Sequence, residues 1–555
     1  MTEEQKQTEE KRILGRGGFL PHLYARKDPV KGRIRKIPAW AWGLLAAIVT
    51  LAVFLPAVRF PFFPFWDDDI HVHANPHLAN LSWSSIGALW AGPWQQLYIP
   101  LTYSVWAALA AVSRWSAGLP IASGALDAAW FHGANVVVHL CSAVLAFVLL
   151  RRVVGAFFPQ GARGKTDIAA ALGAMFYALH PLQVEPVAWI SGLRDVLGGC
   201  LGLAALVVLF GGDGVRPGRG ALATLLFLAS LAAKPAGVAL PIVAGVLALT
   251  PFRWSWRQML FMLGPWLVIG AAWVWLTSNA QWAAELAVGL APTWMRPLVA
   301  ADALGFYLLK TFVPVGLSAD YGRSPDQVLA VGALWWMWLW PAALAAALFL
   351  VKPLRIYLVP FAVFVAALLP TLGLVPFNFQ VVSTVADRYA YFALIGPALA
   401  LAMIVAQGTQ RWITAAAALW VAVLIALTLG RLPVWSEDLK LFAATLETNP
   451  RSWKAKHNYA SALDDRGRTA EGERLMREVI GQRPDSAEAY NDLGVMLWKL
   501  GRHGEAAAAM RQSVVIRPTA GSARNLAIME GQLGNTEGQT EAMRVLRQLE
   551  PGAAP

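Results

Sequence analysis

Residues 39–58 read AWAWGLLAAIVTLAVFLPAV, a run that contains no charged residue. A helical run of this length matches the hydrocarbon core of a bilayer, which is about 30 Å thick. Two further uncharged runs lie at 258–277 and 328–351. Hydrophobic residues make up 57% of the chain and charged residues 14%, against about 25% charged in soluble proteins. The sequence therefore predicts an all-α protein whose bulk lies in a membrane.

Apolar segments of this kind predict a polytopic bundle of about eleven spans. They are 39–58, 130–150, 167–181, 187–210, 220–233, 236–251, 258–277, 328–351, 356–375, 389–407 and 412–430. The pair 220–233 and 236–251 is short and flanks Lys234 and Pro235, so a re-entrant hairpin is an alternative there. No small-residue cleavage pattern follows the first run, so we expect a retained span rather than a signal peptide.

Basic residues recur in the loop after every second span. They are Arg151, Arg152, Arg163, Lys165, Arg216, Arg219, Arg253, Arg257, Lys352, Arg355 and Arg411. Because cytoplasmic loops retain Lys and Arg, the pattern predicts a cytoplasmic basic segment at 1–38 and, with an odd number of spans, an external C-terminus. The net charge of +12 is spread over these loops and forms no basic domain, so a nucleic-acid partner is not predicted.

A transmembrane domain is predicted over 39–430. Two long segments within it, 59–129 and 278–327, are predicted to be external loops. Each contains amphipathic stretches, such as LTYSVWAALAAVS at 101–113, that suit the bilayer interface. Cys141 and Cys200 both lie in apolar runs, where a thiol is usually packing material.

Prolines recur beyond residue 430 every 33 or 34 residues, and glycines recur in phase with them: Pro450, Pro484, Pro518 and Pro551, with Gly467, Gly501 and Gly534. This is the period of the tetratricopeptide repeat, a unit of two packed helices. We therefore predict a C-terminal α-solenoid over 431–555, with repeats at 451–484 and 485–518 and a degenerate third at 519–551.

Three consecutive carboxylates, Asp67, Asp68 and Asp69, lie in FWDDDIHVHANP (65–76), directly after the first span. A carboxylate near the bilayer but reachable from water can act as a general base, because partial desolvation and neighbouring negative charge raise its pKa. A solvated acidic loop or a helix N-cap is the plainer interpretation. His71 and His73 are compatible with a divalent metal beside these acids, but a metal is not indicated.

A second set of ionisable residues lies in FYALHPLQVEPVAWISGLRDVLGG (176–199): His180, Glu185, Arg194 and Asp195. A charge at a membrane helix centre costs about 2.5–3.5 kcal/mol, so such residues face a polar cavity or pair with a partner. Neighbours i and i+1 do not face each other on a helix, so Arg194 and Asp195 are each expected to have another partner.

The predicted topology brings Lys234, Arg296 and Arg388 to the same external level as these acids. A basic set in this position suits a lipid phosphate. Snorkelling of the long side chains, or structural ion pairs, is the alternative interpretation of each residue.

Several strings carry a resemblance to a known family: YIPLTYSVW (98–106), FHGANVVVH (131–139), LHPLQVEPVAWISGLRDVL (179–197), RPLVAADALGFYLLKTFVPVGLSADY (296–321), ADRYAYF (386–392) and WSEDLKLF (435–442). Together with the acidic motif, their order and spacing resemble the transmembrane and tetratricopeptide-repeat protein O-mannosyltransferases. These belong to the GT-C class of glycosyltransferases, which use polyprenyl-phosphate sugars. The resemblance covers almost the whole chain.

The resemblance implies an inverting membrane glycosyltransferase that requires no metal or other cofactor. Asp67 or Asp68 would deprotonate an acceptor hydroxyl, and the donor phosphate would lie near Lys234 and Arg388, with Arg296 or Arg194. The remaining substrate-binding candidates are Asp69, His180, Glu185 and Asp195. The repeats would present the acceptor on the external face of a bacterial inner membrane.

Other functions remain open at this point. The acceptor is expected to be protein Ser or Thr, with a lipid or cell-wall glycan as the alternative. A non-catalytic membrane scaffold that displays the repeats for complex assembly is a hypothesis from another class. A flippase for a lipid-linked substrate is a third, although the spans show no internal repeat of the kind common in transporters.

Overall fold

The computed structural model describes residues 37–63, 66–79, 81–118, 125–212, 216–278 and 291–550. Within these ranges the chain is helical, and its single extended pairing is an isolated bridge between Trp94 and Leu97. The prediction of an all-α protein is confirmed. Residues 1–36 of the basic N-terminal segment and 279–290 of the second long external segment lie outside the described residues.

Eleven α-helices precede residue 279 in the described ranges: α1 (Ala39–Phe54), α2 (Pro76–Ala79), α3 (Trp83–Ala91), α4 (Pro100–Ser116), α5 (Ala128–Phe157), α6 (Arg163–Ala178), α7 (Val184–Ala188), α8 (Leu193–Leu209), α9 (Pro217–Ala233), α10 (Leu240–Leu249) and α11 (Trp256–Ser278). Short turns of other helix types join them: Leu55–Arg59, Asp69–His73, Pro181–Gln183, Ile190–Gly192 and Pro235–Ala239.

Seven α-helices lie between residues 291 and 450: α12 (Arg296–Phe312), α13 (Pro325–Ala330), α14 (Leu339–Leu350), α15 (Leu358–Leu368), α16 (Ile395–Gln407), α17 (Arg411–Arg431) and α18 (Asp438–Thr448). Six more make up the rest of the described chain: α19 (Trp453–Asp465), α20 (Thr469–Gln482), α21 (Ala487–Lys499), α22 (His503–Ile516), α23 (Ala520–Gln532) and α24 (Thr536–Leu549). The intervening short turns are Ala333–Trp335, Lys352–Tyr357, Leu369–Thr371, Asn378–Val381, Asp387–Ala390 and Leu432–Ser436.

Seven helical segments of the described chain are long and apolar enough to cross a membrane, which is consistent with a membrane protein: Ala39–Arg59, Ala128–Phe157, Ile190–Leu209, Trp256–Ser278, Ala333–Leu350, Lys352–Thr371 and Arg411–Ser436. Each of the other four predicted spans coincides with a helical segment, but these segments are shorter: Arg163–Ala178, Pro217–Ala233, Pro235–Leu249 and Ile395–Gln407. A helix rises about 1.5 Å per residue, so about 20 residues are needed to cross. The structure therefore supports seven full-length spans rather than eleven.

Small residues allow the helices of the bundle to approach closely. A Cβ on Gly173 in α6 would lie 2.7 Å from the carbonyl oxygen of Ala398 in α16. A Cβ on Gly199 in α8 would lie 2.6 Å from the ring of Tyr391. Glycine is required at such contacts because any side chain would force the helices apart. This packing places residues 386–392 against α8, where several of the predicted site residues lie.

Three helix pairs, α19/α20, α21/α22 and α23/α24, form the C-terminal solenoid. The turn inside each pair contains a glycine with positive φ: Gly467 at +76°, Gly501 at +78° and Gly534 at +73°. This left-handed conformation favours glycine, which explains why glycine recurs with the repeat period. The third pair has the same turn as the first two, although its sequence is degenerate.

A buried junction joins the solenoid to the preceding bundle. The Ser452 hydroxyl donates a 2.5 Å hydrogen bond to Oδ2 of Asp320, and both residues are buried. The Trp435 ring lies 6.0 Å from Phe63 and 6.3 Å from Trp189. These contacts pack the start of the first repeat, and the segment that precedes it, against the bundle.

Candidate functional site

Asp68 anchors the acidic segment to the interior of the bundle. Its side chain is buried, and its Oδ1 accepts hydrogen bonds from the backbone N–H of Ser191 at 3.0 Å and the Ser191 hydroxyl at 2.5 Å. Its Oδ2 accepts a bond from the N–H of Phe63 at 3.3 Å. Burial raises the pKa of Asp68 to about 6, although these hydrogen bonds oppose the shift. Asp68 therefore fixes the position of its neighbours.

A pH titration tests this environment. The pKa of Asp68 is about 6 in the folded protein, against an ordinary value of 3.8 for the unfolded chain. As pH rises from about 4 to 6, the unfolded chain releases this proton first, so the folded protein loses stability. We expect wild type to lose on the order of 2–3 kcal/mol relative to Asp68→Asn across this window, since one pKa unit corresponds to about 1.4 kcal/mol. Thermal melting of both proteins in detergent measures the difference, from which shared titrating groups cancel. Parallel melting curves would contradict the assignment.

Asp67, the preceding residue, points in another direction and is 38% exposed at its side chain. Its Oδ2 accepts a 2.8 Å hydrogen bond from a terminal nitrogen of Arg194. Burial alone would raise the pKa of Asp67, but the charges on Arg194 and Arg388 help to hold it below its ordinary value. The prediction of a raised pKa is therefore wrong for Asp67, because the neighbouring guanidinium groups outweigh burial. Asp67 is an ionised carboxylate that solvent reaches, and it can accept a proton.

Arg388 forms the centre of the cationic part of the site. It is buried and pairs with the buried Glu185 at 2.5 Å, and its own backbone N–H donates to the same carboxylate at 3.3 Å. Its guanidinium lies 4.9 Å from the ring centre of Tyr389 and 5.6 Å from that of Trp189. Burial would lower the pKa of Arg388, but Tyr389 and Glu185 raise it, so the residue remains a cation.

Lys234 and Asp195 form a second ion pair beside Arg388. The Lys234 ammonium also lies 5.2 Å from the ring centre of Tyr389, which it shares with Arg388. Oδ2 of Asp195 is buried and has no hydrogen-bond partner within the described part of the chain. Arg194 and Asp195 approach each other at 3.8 Å, and each has a nearer partner, as expected for sequence neighbours.

Residues of the three ion pairs line two cavities. On one side, a cavity of about 560 Å³ is lined by Trp66, Asp67, Asp69, Phe379 and the inner face of the repeats. On the other side, a cavity of about 40 Å³ is lined by Lys234, Arg388, Tyr389 and a glycine-rich face of α8. Phe379, from the wall of the first cavity, lies 4.4 Å from the guanidinium of Arg388, which lines the second. Arg388 therefore lies between the larger cavity and the pocket inside the bundle.

The structure brings together six of the predicted site residues: Asp67, Glu185, Arg194, Asp195, Lys234 and Arg388. Asp68 supports this group, and Asp69 lines the larger cavity with a half-exposed side chain. Burial and the charges on Arg194 and Arg388 lower the pKa of Lys234. Arg194 and Arg388 retain N–H donors beyond those used in their ion pairs, since a guanidinium has five. The group can therefore bind a further anion.

Two predicted residues have other partners. His180 is buried, and its Nε2 lies 3.1 Å from the carbonyl oxygen of Thr311 while its Nδ1 accepts from the N–H of Leu182. His180 therefore stabilises the turn Pro181–Gln183. Nε of Arg296 donates to the carbonyl of Ala291 at 3.3 Å, and Arg296 makes no ion pair with any described acid.

The two histidines of the acidic segment contact residues inside and outside that segment. Nδ1 of His71 lies 3.0 Å from the hydroxyl of Tyr103, and His73 packs on Phe62 and lies 3.9 Å from Asp69. Across the described ranges, no three His, Cys, Asp or Glu side chains are grouped so that they could hold a metal ion.

Three residues that contact the charged cluster were not singled out from the sequence. Trp189 and Tyr389 provide the rings against which the cations pack, and Ser191 binds Asp68. All three lie inside strings that carry the family resemblance, but apolar and hydroxyl residues give no charge signal in an apolar segment. Their roles become visible only when residues far apart in sequence are seen in contact.

Comparisons with known proteins identify the repeats. A family model described as tetratricopeptide repeat matches residues 458–521. Two solved structures of MamA AMB-1 are 22% and 23% identical to this chain; the matches cover 23% and 24% of it and 78% and 75% of the MamA chains, with a TM-score of 0.20 for each. A comparison with curated proteins finds no match. The chain therefore contains tetratricopeptide repeats, as its period predicts.

Proposed function

We propose that this protein is a membrane glycosyltransferase that moves a sugar from a polyprenyl-phosphate donor to a hydroxyl group of an external acceptor. The observation that carries the proposal is the position of Asp67. Its carboxylate opens into the cavity below the repeats, while Arg194, Lys234 and Arg388 lie behind it in one cluster. A carboxylate and a set of basic residues are thus adjacent; Asp67 lines the larger cavity, and Lys234 and Arg388 line the smaller one.

In the proposed reaction, Asp67 takes the proton of the acceptor hydroxyl as its oxygen attacks the anomeric carbon of the donor sugar. The bond between that carbon and the phosphate oxygen breaks, and the bonding pair leaves with the phosphate. Attack from the side opposite the phosphate inverts the anomeric carbon. Fixed cations stabilise the charge that develops on the leaving group, and this kind of stabilisation is typically worth about 10²–10³ in rate for each group.

The donor would enter from the bundle side. The cavity at Lys234 and Arg388 lies beside Gly198, Gly199 and Gly202 of α8, glycines that allow Lys234, Tyr391 and Leu240 to pack closely against this helix. Its present volume of about 40 Å³ holds little more than a water molecule. Donor binding therefore requires side-chain displacement, and the ion pairs of Lys234 and Arg388 would exchange part of their bonding for the phosphate.

Topology and acceptor are also part of the proposal. The basic loops favour a cytoplasmic N-terminus, which would place Asp67 and the repeats on the external or periplasmic side. Protein Ser or Thr is the acceptor favoured by the presence of the repeats, because stacked helix pairs form concave surfaces suited to extended peptides. A lipid or cell-wall glycan is the second candidate acceptor.

A scaffold is the second candidate function, and the tetratricopeptide match is the observation that favours it. Such a protein would use its helical bundle only to hold the repeats at the membrane. A simple anchor would not need the ion pairs that Lys234 and Arg388 make with the buried acids Asp195 and Glu185. The cost of desolvating such paired charges often exceeds what their attraction returns.

Reconstitution distinguishes the two functions. The purified protein in liposomes is supplied with radiolabelled polyprenyl-phosphate sugars and an envelope extract from a strain that lacks the gene. We expect label to move from lipid to a protein or glycan fraction. The proposal fails if no donor in the panel loses its sugar and if repeats tethered by an unrelated span restore the deletion strain.

A further inference from the structure

We propose that residues 318–323, the linking segment, connect the first tetratricopeptide repeat to Arg388 and hold that residue in position, with Asp320 and Tyr321 as positioning residues. The link itself is inferred from the contacts between the repeat, the segment and the bundle. Its effect on donor binding rests on the proposed function, in which Arg388 binds the donor phosphate.

One side of the linking segment is bonded to the first repeat. Ser452 is the N-cap of α19, and its hydroxyl accepts the N–H of Ala455 at 3.0 Å. The same hydroxyl donates to Oδ2 of Asp320 at 2.5 Å, while Oδ1 of Asp320 accepts the N–H of Gly322 at 2.7 Å. Both oxygens of this buried carboxylate are therefore used, and a displacement of the start of α19 would displace the segment.

Gly322 allows the segment to approach the start of the solenoid closely. Its φ is +61°, in the left-handed region that favours glycine. A Cβ on this residue would lie 2.6 Å from the side-chain amide nitrogen of Asn449, which lies between α18 and α19. The segment therefore touches the start of the solenoid through its backbone as well as through Asp320.

The other side of the segment is bonded to the stretch that leads into the turn Asp387–Ala390. The Tyr321 hydroxyl donates to Oδ1 of Asp387 at 2.5 Å. Two residues further along the segment, the carbonyl oxygen of Arg323 accepts the N–H of Thr384 at 2.9 Å. Neighbouring residues of the linking segment thus contact the repeat and the bundle.

The stretch 384–388 depends on such bonds for its position. It contains no α-helix, and Arg388 directly follows Asp387 in it. The Tyr307 hydroxyl accepts the N–H of Ala386 at 3.0 Å and donates to its carbonyl oxygen at 3.1 Å, so Asp387 is fixed between this bond and that of Tyr321. Because the small cavity must widen for a donor, these bonds decide where the guanidinium of Arg388 lies when a phosphate binds.

The chemistry of the contact favours positioning over simple adhesion. Trp435 already packs against Phe63 and Trp189 where the solenoid meets the bundle. Burial raises the pKa of Asp320, so its ionised form is held there at a cost in free energy. An apolar side chain would join the two parts at a lower cost, whereas a hydrogen bond is directional and fixes their relative position.

A matched pair of serine variants tests the link by hydrogen–deuterium exchange of the full-length protein in lipid nanodiscs. Ser452→Ala removes a helix cap and the bond to Asp320. Ser486→Ala removes the equivalent cap of α21, and the described hydrogen bonds of Ser486 all lie within the repeats. We expect amide exchange over residues 384–391 to become about three- to tenfold faster in Ser452→Ala alone, since a bond to a carboxylate is lost. Equal exchange in the two variants would overturn the inference.

Donor affinity is measured in detergent with farnesyl monophosphate, a short polyprenyl phosphate. Ser452→Ala and Tyr321→Phe should each weaken binding by about three- to tenfold, because Arg388 is no longer held, while Ser486→Ala should bind like wild type. The double variant Ser452→Ala, Tyr321→Phe should bind no more weakly than Tyr321→Phe, because both changes interrupt the same link. A general loss of stability would instead give losses that add, and additive losses would overturn the inference.

The two measurements separate this inference from the proposed function. If exchange responds as expected but wild type binds no polyprenyl phosphate, the proposed function fails and the link between the repeat and Arg388 remains. If wild type binds the probe and the two serine variants bind it equally well, the proposed function remains and the control of Arg388 by the first repeat fails.

Discussion

Asp67→Asn is expected to reduce sugar transfer by about 10²–10⁴-fold, the contribution typical of a positioned general base. The amide can still accept the hydrogen bond from Arg194, so the local structure should persist, but it cannot take a proton. Donor binding and membrane insertion should be unchanged, because neither depends on the basicity of Asp67. Transfer from a radiolabelled polyprenyl-phosphate sugar, measured in single-turnover reactions, separates the chemical step from binding.

The chain offers a matched control for this variant. Asp326 is exposed, lies at the start of α13 and lines neither cavity, so Asp326→Asn should transfer sugar like wild type. Asp68→Asn is expected to act indirectly, by loosening the segment that Asp68 anchors to Ser191. Full activity of Asp67→Asn would remove the base from the proposed mechanism.

Arg388→Gln is expected to produce the largest combined loss, in both stability and donor binding. Glu185 would be left as a buried carboxylate without its cation, which typically costs about 3–5 kcal/mol. The donor phosphate would also lose a guanidinium that faces it. Thermal melting and binding of a polyprenyl-phosphate analogue measure the two effects separately.

Two further variants separate the structural effect from the functional one. The double variant Arg388→Gln, Glu185→Gln removes both charges, so it should recover much of the stability without recovering donor binding. Arg323→Gln breaks another ion pair with a buried acid, Asp302, which Arg323 contacts at 2.5 Å outside the two cavities. It should lower stability while leaving donor affinity close to wild type; equal loss of donor affinity in Arg323→Gln and Arg388→Gln would show that Arg388 has no specific role.

Much of the architecture follows from local sequence properties. Each of the eleven predicted spans coincides with a helical segment, because a run of apolar residues can satisfy its backbone in lipid only by forming one. The repeats were predictable for a similar reason, since the glycine of each turn must adopt a positive φ. The number of full-length spans could not be predicted in this way, because a helix must also be long enough to cross the membrane. Ile395–Gln407 is helical but too short to cross alone.

The partners of the charged residues could not be predicted in the same way. Asp67 and Arg194 are 127 positions apart, and Glu185 and Arg388 are 203 apart, so each pair depends on how the helices pack. From the sequence, Asp67 and Asp68 were equally good candidates for the residue that deprotonates the acceptor. Their environments differ because the Asp68 carboxylate accepts hydrogen bonds from Ser191 inside the bundle, whereas Asp67 lines the larger cavity.

Arg296 illustrates the limit of reasoning from membrane depth. Its position in the sequence suggested the same external level as Lys234 and Arg388, yet it bonds to the carbonyl of Ala291 near the start of its own helix. The depth of a residue in the membrane does not determine its lateral position in the bundle. A set of cations at one level therefore becomes a site only where packing brings its members together.

The most direct test of the account is to locate the phosphate of a bound donor. A cryo-electron microscopy structure of the protein with a non-hydrolysable polyprenyl-phosphate sugar is expected to show the phosphate within hydrogen-bond distance of Arg388 and Lys234. The anomeric carbon should face Asp67, and the lipid should follow the glycine-lined face of α8. A phosphate bound on the side of the membrane that carries the N-terminus, or away from both cations, would contradict the account.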